Sequence, residues 1–150
     1  MIDTDRNSKG GPPNNGVVFA ADLGGTHLRA ASVDEAGRIH FRLKQNTPQA
    51  ETPDEIVQAL VSAARECEKR SDAAGNDLLA ISVVVPGSVN VKAGVIVKPP
   101  NLPCLDGFCL TDALTKELGR PAILENDANA AAVGETLRSS SARFIDSAST

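Results

Sequence analysis

Two short polar segments carry the side chains of this sequence that are best suited to chemistry. In the first, Asp22 precedes the pair Gly24 and Gly25, and Thr26 follows them. Consecutive glycines let backbone N–H groups approach a ligand closely, adopt conformations that other residues resist, and form anion-binding nests. An aspartate that leaves a strand can hold Mg²⁺ directly or through water. The segment therefore contains the groups that a triphosphate tail requires.

The second segment, "ENDAN", spans residues 125–129. Asp127 follows a short apolar run and precedes an alanine-rich stretch, so we expect it at the junction of a strand and a helix. Ligand sites in α/β sheets favour the carboxyl ends of strands. At that position the carboxylate of Asp127 can accept the proton of an attacking hydroxyl during phosphoryl transfer. Asn126 offers both a donor and an acceptor, which suits a sugar hydroxyl.

Each segment also has a purely structural interpretation. The glycine pair can be a plain hairpin turn that Asp22 stabilises as an Asx residue. Asn126 or Asp127 can cap the following helix, although a cap needs only one such residue. No helix follows the glycines, so they are not a G-x-G-x-x-G fingerprint, and no G-K-[ST] marks a Walker A loop. The residues of either segment alone leave both interpretations open.

The first third of the chain predicts a three-stranded antiparallel arrangement. Apolar runs at residues 17–22 and 28–34 flank the glycine turn, and a second turn leads to an alternating run at residues 38–45. In that run Ile39, Phe41 and Leu43 are expected on one face of the strand, because strand side chains alternate.

A long amphipathic helix should follow the three strands. Thr52 is a good N-cap, Pro53 suits the first turn, and Glu55 completes a capping box. The helix is expected to end within residues 71–77. Its apolar stripe recurs at helical spacing and consists of Ile56, Leu60, Ala63, Ala64 and Cys67.

The remaining elements alternate between strand and helix. A continuous apolar run at residues 78–86 predicts a strand covered on both faces, and a hairpin-like excursion with a proline-rich loop follows it. Residues 111–118 form a short helix that Gly119 ends, residues 121–125 form another strand, and residues 127–138 form a last helix. The fold class expected from this order is α/β, with a mixed sheet.

Composition excludes several classes of protein. The net charge is −4, and Trp and Tyr are absent, so we expect no nucleic-acid partner, because such binding needs clustered cations or stacking aromatics. No run reaches the length of a membrane span, and no signal peptide is found, so we expect a cytoplasmic protein without a membrane partner. Cys67, Cys104 and Cys109 lack metal-ligand spacing, which indicates reduced thiols and no metal site.

Three segments in this order resemble a single family. The segments "DLGGTHLRA", "VVPGSVNVKAGVIVKPPNLP" and "LGRPAILENDANAAAVGE" are similar to the first lobe of a bacterial sugar kinase of the ROK family (repressors, open reading frames and kinases), of the glucokinase type. The likeness covers residues 17 to about 135. It implies an actin-like, ribonuclease-H-like ATPase fold with ATP and Mg²⁺ in a cleft between two lobes. The residues that match the family's first phosphate motif are Asp22, Gly24, Gly25 and Thr26.

The resemblance also implies a sugar site. Asp127 matches the catalytic base that takes the proton from the sugar 6-hydroxyl, and Asn126 matches a sugar-hydroxyl ligand. Gly87 and Asn101 match segments that line the sugar pocket. His27 stands where many members carry Lys or Asn, and as a lone histidine beside a turn it is expected on the surface.

The domain organisation that follows is a disordered tail at 1–16, an N-terminal lobe at 17–138, and an irregular end at 139–150, with the second lobe absent. The implied activity is ATP-dependent phosphorylation of a hexose, glucose to glucose 6-phosphate, with this chain inactive by itself. The partners would be the hexose and ATP, and a homo-oligomer would form through the absent lobe. The alternative is a non-catalytic sugar-binding or transcriptional-regulator fragment of the same family.

Overall fold

The structure describes residues 16–126 of the chain, in a computed structural model, as a mixed five-stranded sheet, a small two-stranded sheet and two α-helices. The elements are, in chain order, β1 (Gly16–Leu23), β2 (His27–Asp34), β3 (Ile39–Asn46), α1 (Pro53–Ala73), β4 (Asp77–Val85), β5 (Ser88–Asn90), β6 (Val95–Val97), a short 3₁₀ helix (Pro103–Leu105), α2 (Leu110–Leu118) and β7 (Ala122–Asn126).

The sheet has the strand order β3-β2-β1-β4-β7. The first three strands pair antiparallel, and β4 pairs parallel with both β1 and β7. Both the antiparallel start and the mixed α/β sheet expected from the sequence are thus confirmed. Helix α1 connects β3 to β4, and α2 connects the β5–β6 hairpin to β7.

A bulge in β3 changes the face of one residue. Ser32 pairs with Phe41, but the next residue of β2, Val33, pairs with Ile39, so β3 contains one extra residue there. Phe41 and Leu43 pack against the main core, whereas Ile39 lies opposite Val33, on the other face of the sheet, and neither of these two residues belongs to that core. The expectation that Ile39 shares the face of Phe41 and Leu43 is therefore wrong, because a bulge interrupts the alternation.

Helix α1 begins and ends where the sequence predicts. The carboxylate of Glu55 accepts hydrogen bonds from the backbone N–H groups of Glu51 at 2.8 Å and Thr52 at 3.3 Å, which is the glutamate half of a capping box. The predicted stripe is buried throughout, at 0–2% exposure for Ile56, Leu60, Ala63, Ala64 and Cys67. Burial, with a smaller contribution from the nearby Glu66 carboxylate, raises the pKa of Cys67 to about 12. Cys67 is therefore a neutral core thiol.

One face of the sheet packs against both helices in a single core. Alternate residues of β1 and β4, such as Phe19, Ile81 and Val83, are at most 1% exposed. The other face of β4 is only half-buried, and Leu79 is 47% exposed. The expectation that β4 is covered on both faces is not met within residues 16–126, because both helices pack on the same face of the sheet.

Helix α2 and the residues directly after it complete the covered side of the sheet. Gly119 ends α2 in the left-handed region, at φ 67°, as the sequence predicts, although α2 starts one residue earlier than expected. The Arg120 guanidinium donates to the Leu78 carbonyl at 2.6 Å and to Glu68 Oε2 at 3.1 Å. These two hydrogen bonds of Arg120 therefore connect the segment before β7 to both β4 and α1.

Gly16 begins β1, although the sequence assigned it to the tail. The rest of that tail, the helix expected at 127–138 and the end at 139–150 lie outside the described residues. Within residues 16–126, neither helix has the length and apolarity that a membrane crossing requires. The three cysteines form no disulfide.

Candidate functional site

The carboxyl ends of the parallel strands bring the glycine pair's turn and the described start of the second segment, residues 125–126, to one edge of the sheet. Asp22 of β1 pairs with Val84 of β4, and Val84 pairs with Glu125 of β7. One residue further, Val85 pairs with Asn126. The turn after β1, the turn after β4 and the end of β7 therefore leave the sheet side by side, as expected for ligand sites in parallel sheets.

Hydrogen bonds from one threonine hold the turn after β1, which we call the glycine turn (residues 23–27). The Thr47 hydroxyl donates to the Gly24 carbonyl at 2.7 Å, and the Thr47 N–H donates to the Thr26 carbonyl at 2.8 Å. Thr47 is only 3% exposed. Sequence reasoning missed this residue, since its only signal is its place directly after β3.

The backbone N–H groups of the glycine turn have different roles. Gly24 N–H donates to the His27 carbonyl at 2.9 Å and closes the turn. Within residues 16–126, the N–H groups of Gly25 and Thr26 have no protein acceptor. Thr26 is exposed, so these two N–H groups and the Thr26 hydroxyl are the donors that the turn offers to an anion.

The glycine pair is required for close approach rather than for unusual backbone angles. Neither Gly24 nor Gly25 has a φ in the left-handed region, which corrects the expectation drawn from glycine's conformational freedom. A Cβ on Gly24 would lie 3.1 Å from the His27 carbonyl oxygen, and a Cβ on Gly25 would overlap the Cβ of Asn101. The tertiary structure thus places Asn101 directly on the glycine turn.

Gly87 lies in the turn after β4 and adopts φ +88°. A Cβ there would approach Pro100 Cδ to 3.1 Å and Pro99 Cα to 3.3 Å. The Gly87 turn therefore packs against the proline-rich loop that carries Asn101. Gly87 therefore lies beside the residues that immediately precede Asn101 in the chain.

Asn126 is the last described residue and ends β7 in a half-buried position. The candidate base Asp127 follows it and lies outside the described residues. Because Asn126 pairs with Val85, the chain leaves β7 beside the turn that contains Gly87.

His27 is the last residue of the glycine turn and the first of β2, and Arg29 lies two residues further along β2. His27 is half-buried, and its Nδ1 atom is buried without a hydrogen-bond partner among the described residues. The expectation of a surface histidine is therefore wrong, because His27 starts β2 and pairs with Asn46 of β3. Arg29 Nη1 lies 4.0 Å from Asp22 Oδ2, with both side chains more than half exposed, so this pair contributes little stability.

A separate groove lies on the open face of the sheet. It has a volume of about 660 Å³, and Asp22 is the only one of the described site residues that lines it; Arg29, Ser82 and Val84 also line it. We place the candidate site at the carboxyl ends of β1, β4 and β7 rather than in this groove, because the glycine-turn N–H donors and the polar side chains converge there.

Comparison with known proteins defines first the class and then the family. The chain superposes on the Streptomyces griseus ROK-family glucokinase, solved with glucose and AMPPNP, with a TM-score of 0.69 and 35% identity over 80% of this chain and 36% of that one. The fold is therefore the mixed α/β lobe of an actin-like ATPase. Residues 18–146 match the ROK family, and the chain belongs to it.

Two curated relatives in this family are named for different sugars. The chain is 34% identical to a Streptomyces coelicolor glucokinase over 120 residues, which cover 80% of this chain and 35% of the relative. It is 33% identical to a Citrobacter koseri N-acetylmannosamine kinase over 118 residues, covering 79% and 38%. The chain thus spans little more than a third of the length of these relatives.

Proposed function

We propose that this chain is the phosphate-binding lobe of a kinase that transfers the γ-phosphoryl group of MgATP to a hexose, most specifically to glucose. One observation carries the proposal: Asn101 lies on Gly25, so the segment proposed for the sugar touches the turn proposed for the phosphates. A phosphoryl donor and its acceptor hydroxyl must meet at such a place. The glucokinase and N-acetylmannosamine kinase relatives support the sugar class.

The glycine turn would hold the phosphates. The N–H groups of Gly25 and Thr26, which have no acceptor within residues 16–126, and the Thr26 hydroxyl would donate to phosphate oxygens, while the Gly24 N–H closes the turn. Asp22 is an exposed carboxylate at the same edge, which fits the one or two carboxylates that Mg²⁺ takes beside phosphate oxygens and water. When bound, Mg²⁺ neutralises charge that develops on the phosphates.

The sugar would lie between the two polar segments. Asn101 and the end of β7 with Asn126 provide amide groups for its hydroxyls, and the Gly87 turn forms the wall between them. Asp127 would accept the proton of the attacking hydroxyl and orient it for in-line transfer. The 150-residue chain by itself should have little or no kinase activity, because it spans only about a third of its relatives.

The test is an ADP-release assay with MgATP and glucose, on the 150-residue chain and on the full product of its gene. In the active form, Asp127→Asn should lower turnover by about 10²–10⁴-fold, as loss of a general base does. Glu125→Gln, which removes a carboxylate two residues earlier, should change turnover less than about threefold. Wild-type turnover in Asp127→Asn would contradict the assignment of the base.

Calorimetric titration with glucose separates a kinase from a binding protein. Glucose binding without ADP release in any form would favour a non-catalytic sugar-binding member of the family. If neither ADP release nor glucose binding is found, the proposed function is wrong and the family fold is unaffected.

A further inference from the structure

Gly25 belongs to the glycine turn, yet a Cβ added to it would first meet the side chain of Asn101, a residue of the proposed sugar site. We propose that Gly25 is a positioning residue for the sugar. Because Gly25 lacks a side chain, Asn101 can contact the glycine turn closely, and this contact orients the Asn101 amide. This inference rests on the proposed function. It gives Gly25 a role separate from donating its N–H to phosphate.

The steric argument concerns the base of the Asn101 side chain. A Cβ on Gly25 would overlap Asn101 Cβ and would lie 3.2 Å from Cγ and 3.3 Å from Nδ2. Asn101 Cβ is fixed to its own backbone, so a change of side-chain rotamer cannot relieve the overlap. The backbone of the turn or of the loop would have to move.

The glycine turn is poorly able to move. The Thr47 hydroxyl and N–H hold the carbonyls on both sides of Gly25, at 2.7 and 2.8 Å. Thr47 is itself buried. A displacement at Gly25 therefore requires breaking or stretching these hydrogen bonds.

The loop that carries Asn101 is held by several contacts on either side of this exposed residue. Leu102 is 4% exposed and accepts a hydrogen bond from Leu105 N–H at 2.9 Å. Before it, Lys98 N–H donates to Asp106 Oδ1 at 2.8 Å, and Pro100 packs on Gly87. Asn101 itself is exposed, so an added Cβ on Gly25 should displace Asn101 rather than the turn.

The glycine turn contains a matched control for this effect. A Cβ on Gly24 would meet the His27 carbonyl and no atom of Asn101. Gly24→Ala and Gly25→Ala both alter the proposed phosphate motif, but only Gly25→Ala should alter the sugar site. A purely structural or purely phosphate-binding role would make the two variants alike in their effect on glucose.

The experiment measures the glucose and ATP affinities of the full gene product by calorimetry. Asn101→Ala should weaken glucose binding by about 10-fold or more, as loss of a hydrogen-bonding partner does. Gly25→Ala should weaken glucose binding by a similar factor, and Gly24→Ala should leave it within about twofold while weakening ATP binding. Equal glucose affinity in Gly25→Ala and the unmodified protein, with weakened binding in Asn101→Ala, would overturn the inference.

Double variants test whether the overlap of an added Gly25 Cβ with Asn101 Cβ causes the effect of Gly25→Ala. Asn101→Gly removes the Cβ that Gly25→Ala would strike, whereas Asn101→Ala keeps it. Gly25→Ala should therefore lower the free energy of unfolding in the Asn101→Ala background but not in the Asn101→Gly background; equal losses in both would overturn the inference. If Asn101→Ala leaves glucose binding unchanged, or the unmodified protein binds no glucose, the sugar role of Asn101 in the proposed function fails and the inference falls with it.

Discussion

The two faces of the five-stranded sheet differ in what their side chains can do. On the face that packs against the helices, Phe19, Val83 and Leu124 are at most 1% exposed. On the open face, the Asp22 and Arg29 side chains are 55% and 58% exposed and form a loose ion pair. The covered face has the continuous apolar packing that stabilises a domain, and the open face does not.

This difference between the faces predicts which substitutions affect stability and which affect the candidate site. Glycine-turn donors and the proposed sugar ligands lie at the edge where β1, β4 and β7 end, and strands anchored by the covered face hold that edge in place. Stability and chemistry therefore depend on different residues of the same strands. Substitutions confined to one face or to the site therefore test this comparison.

The largest effect is expected from Phe19→Ala. Phe19 is completely buried on the covered face, and its truncation should lower the free energy of unfolding by about 3–5 kcal/mol, because it leaves a cavity between the sheet and the helices. Urea unfolding followed by circular dichroism measures this change. A loss below about 1 kcal/mol would mean that the covered face is not the main source of stability.

Adjacent valines of β4 provide a matched comparison of the faces. Val83 is 1% exposed on the covered face, and Val84 is half-buried on the open face. Val83→Ala should cost about 2–3 kcal/mol and Val84→Ala less than about 1 kcal/mol, since only the first loses fully buried methyl groups. Equal losses in urea unfolding would show that the open face is also covered in solution.

At the edge, the buried Thr47 hydroxyl connects stability with the candidate site. Thr47→Val keeps the shape of the side chain and removes the donor to the Gly24 carbonyl, so it should lower the free energy of unfolding by about 1–2 kcal/mol. Thr47→Ser retains a hydroxyl and should lose less. The idea that the hydrogen bond holds the turn would be refuted if the two variants unfolded at the same urea concentration.

The smallest effect is expected at the β2–β3 turn, at the far end of the sheet from the site. Burial acts to raise the pKa of Asp34, but hydrogen bonds from His40 and from the backbone N–H groups of Arg38 and Ala36, together with the His40 charge, outweigh it and lower the pKa overall. The His40 Nε2 atom lies 2.7 Å from Asp34 Oδ2. Because the folded pKa is the lower one, the carboxylate stabilises the fold above its ordinary pKa, and this contribution is lost as the pH falls.

Asp34→Asn should therefore cost about 1 kcal/mol at neutral pH and nothing at an acid pH well below the folded pKa of Asp34. Urea unfolding between these limits should show a steeper acid-induced loss for the unmodified chain than for Asp34→Asn, with His40→Ala between them. Parallel pH profiles for the three proteins would show that this turn does not contribute to acid sensitivity.

Much of this fold could be predicted because local spacing dictates it. The stripe of α1, the Glu55 cap, the αL glycine that ends α2 and the antiparallel hairpins each depend on residues close together in the chain. The exceptions have long-range causes. Ile39 changes face at a bulge, and β4 remains half-open because α1 and α2 pack on the same side of the sheet.

The sequence by itself determined the family resemblance, the positions of the polar segments and the order of strands and helices. The tertiary structure decided that Asn101 lies on Gly25, that Thr47 holds the carbonyls around it, and that Gly24 and Gly25 are needed for space rather than for positive φ. The physical reason is that these contacts join residues far apart in the chain. Neither propensity nor periodicity encodes them, and only the packing of strands and loops at one edge brings them together.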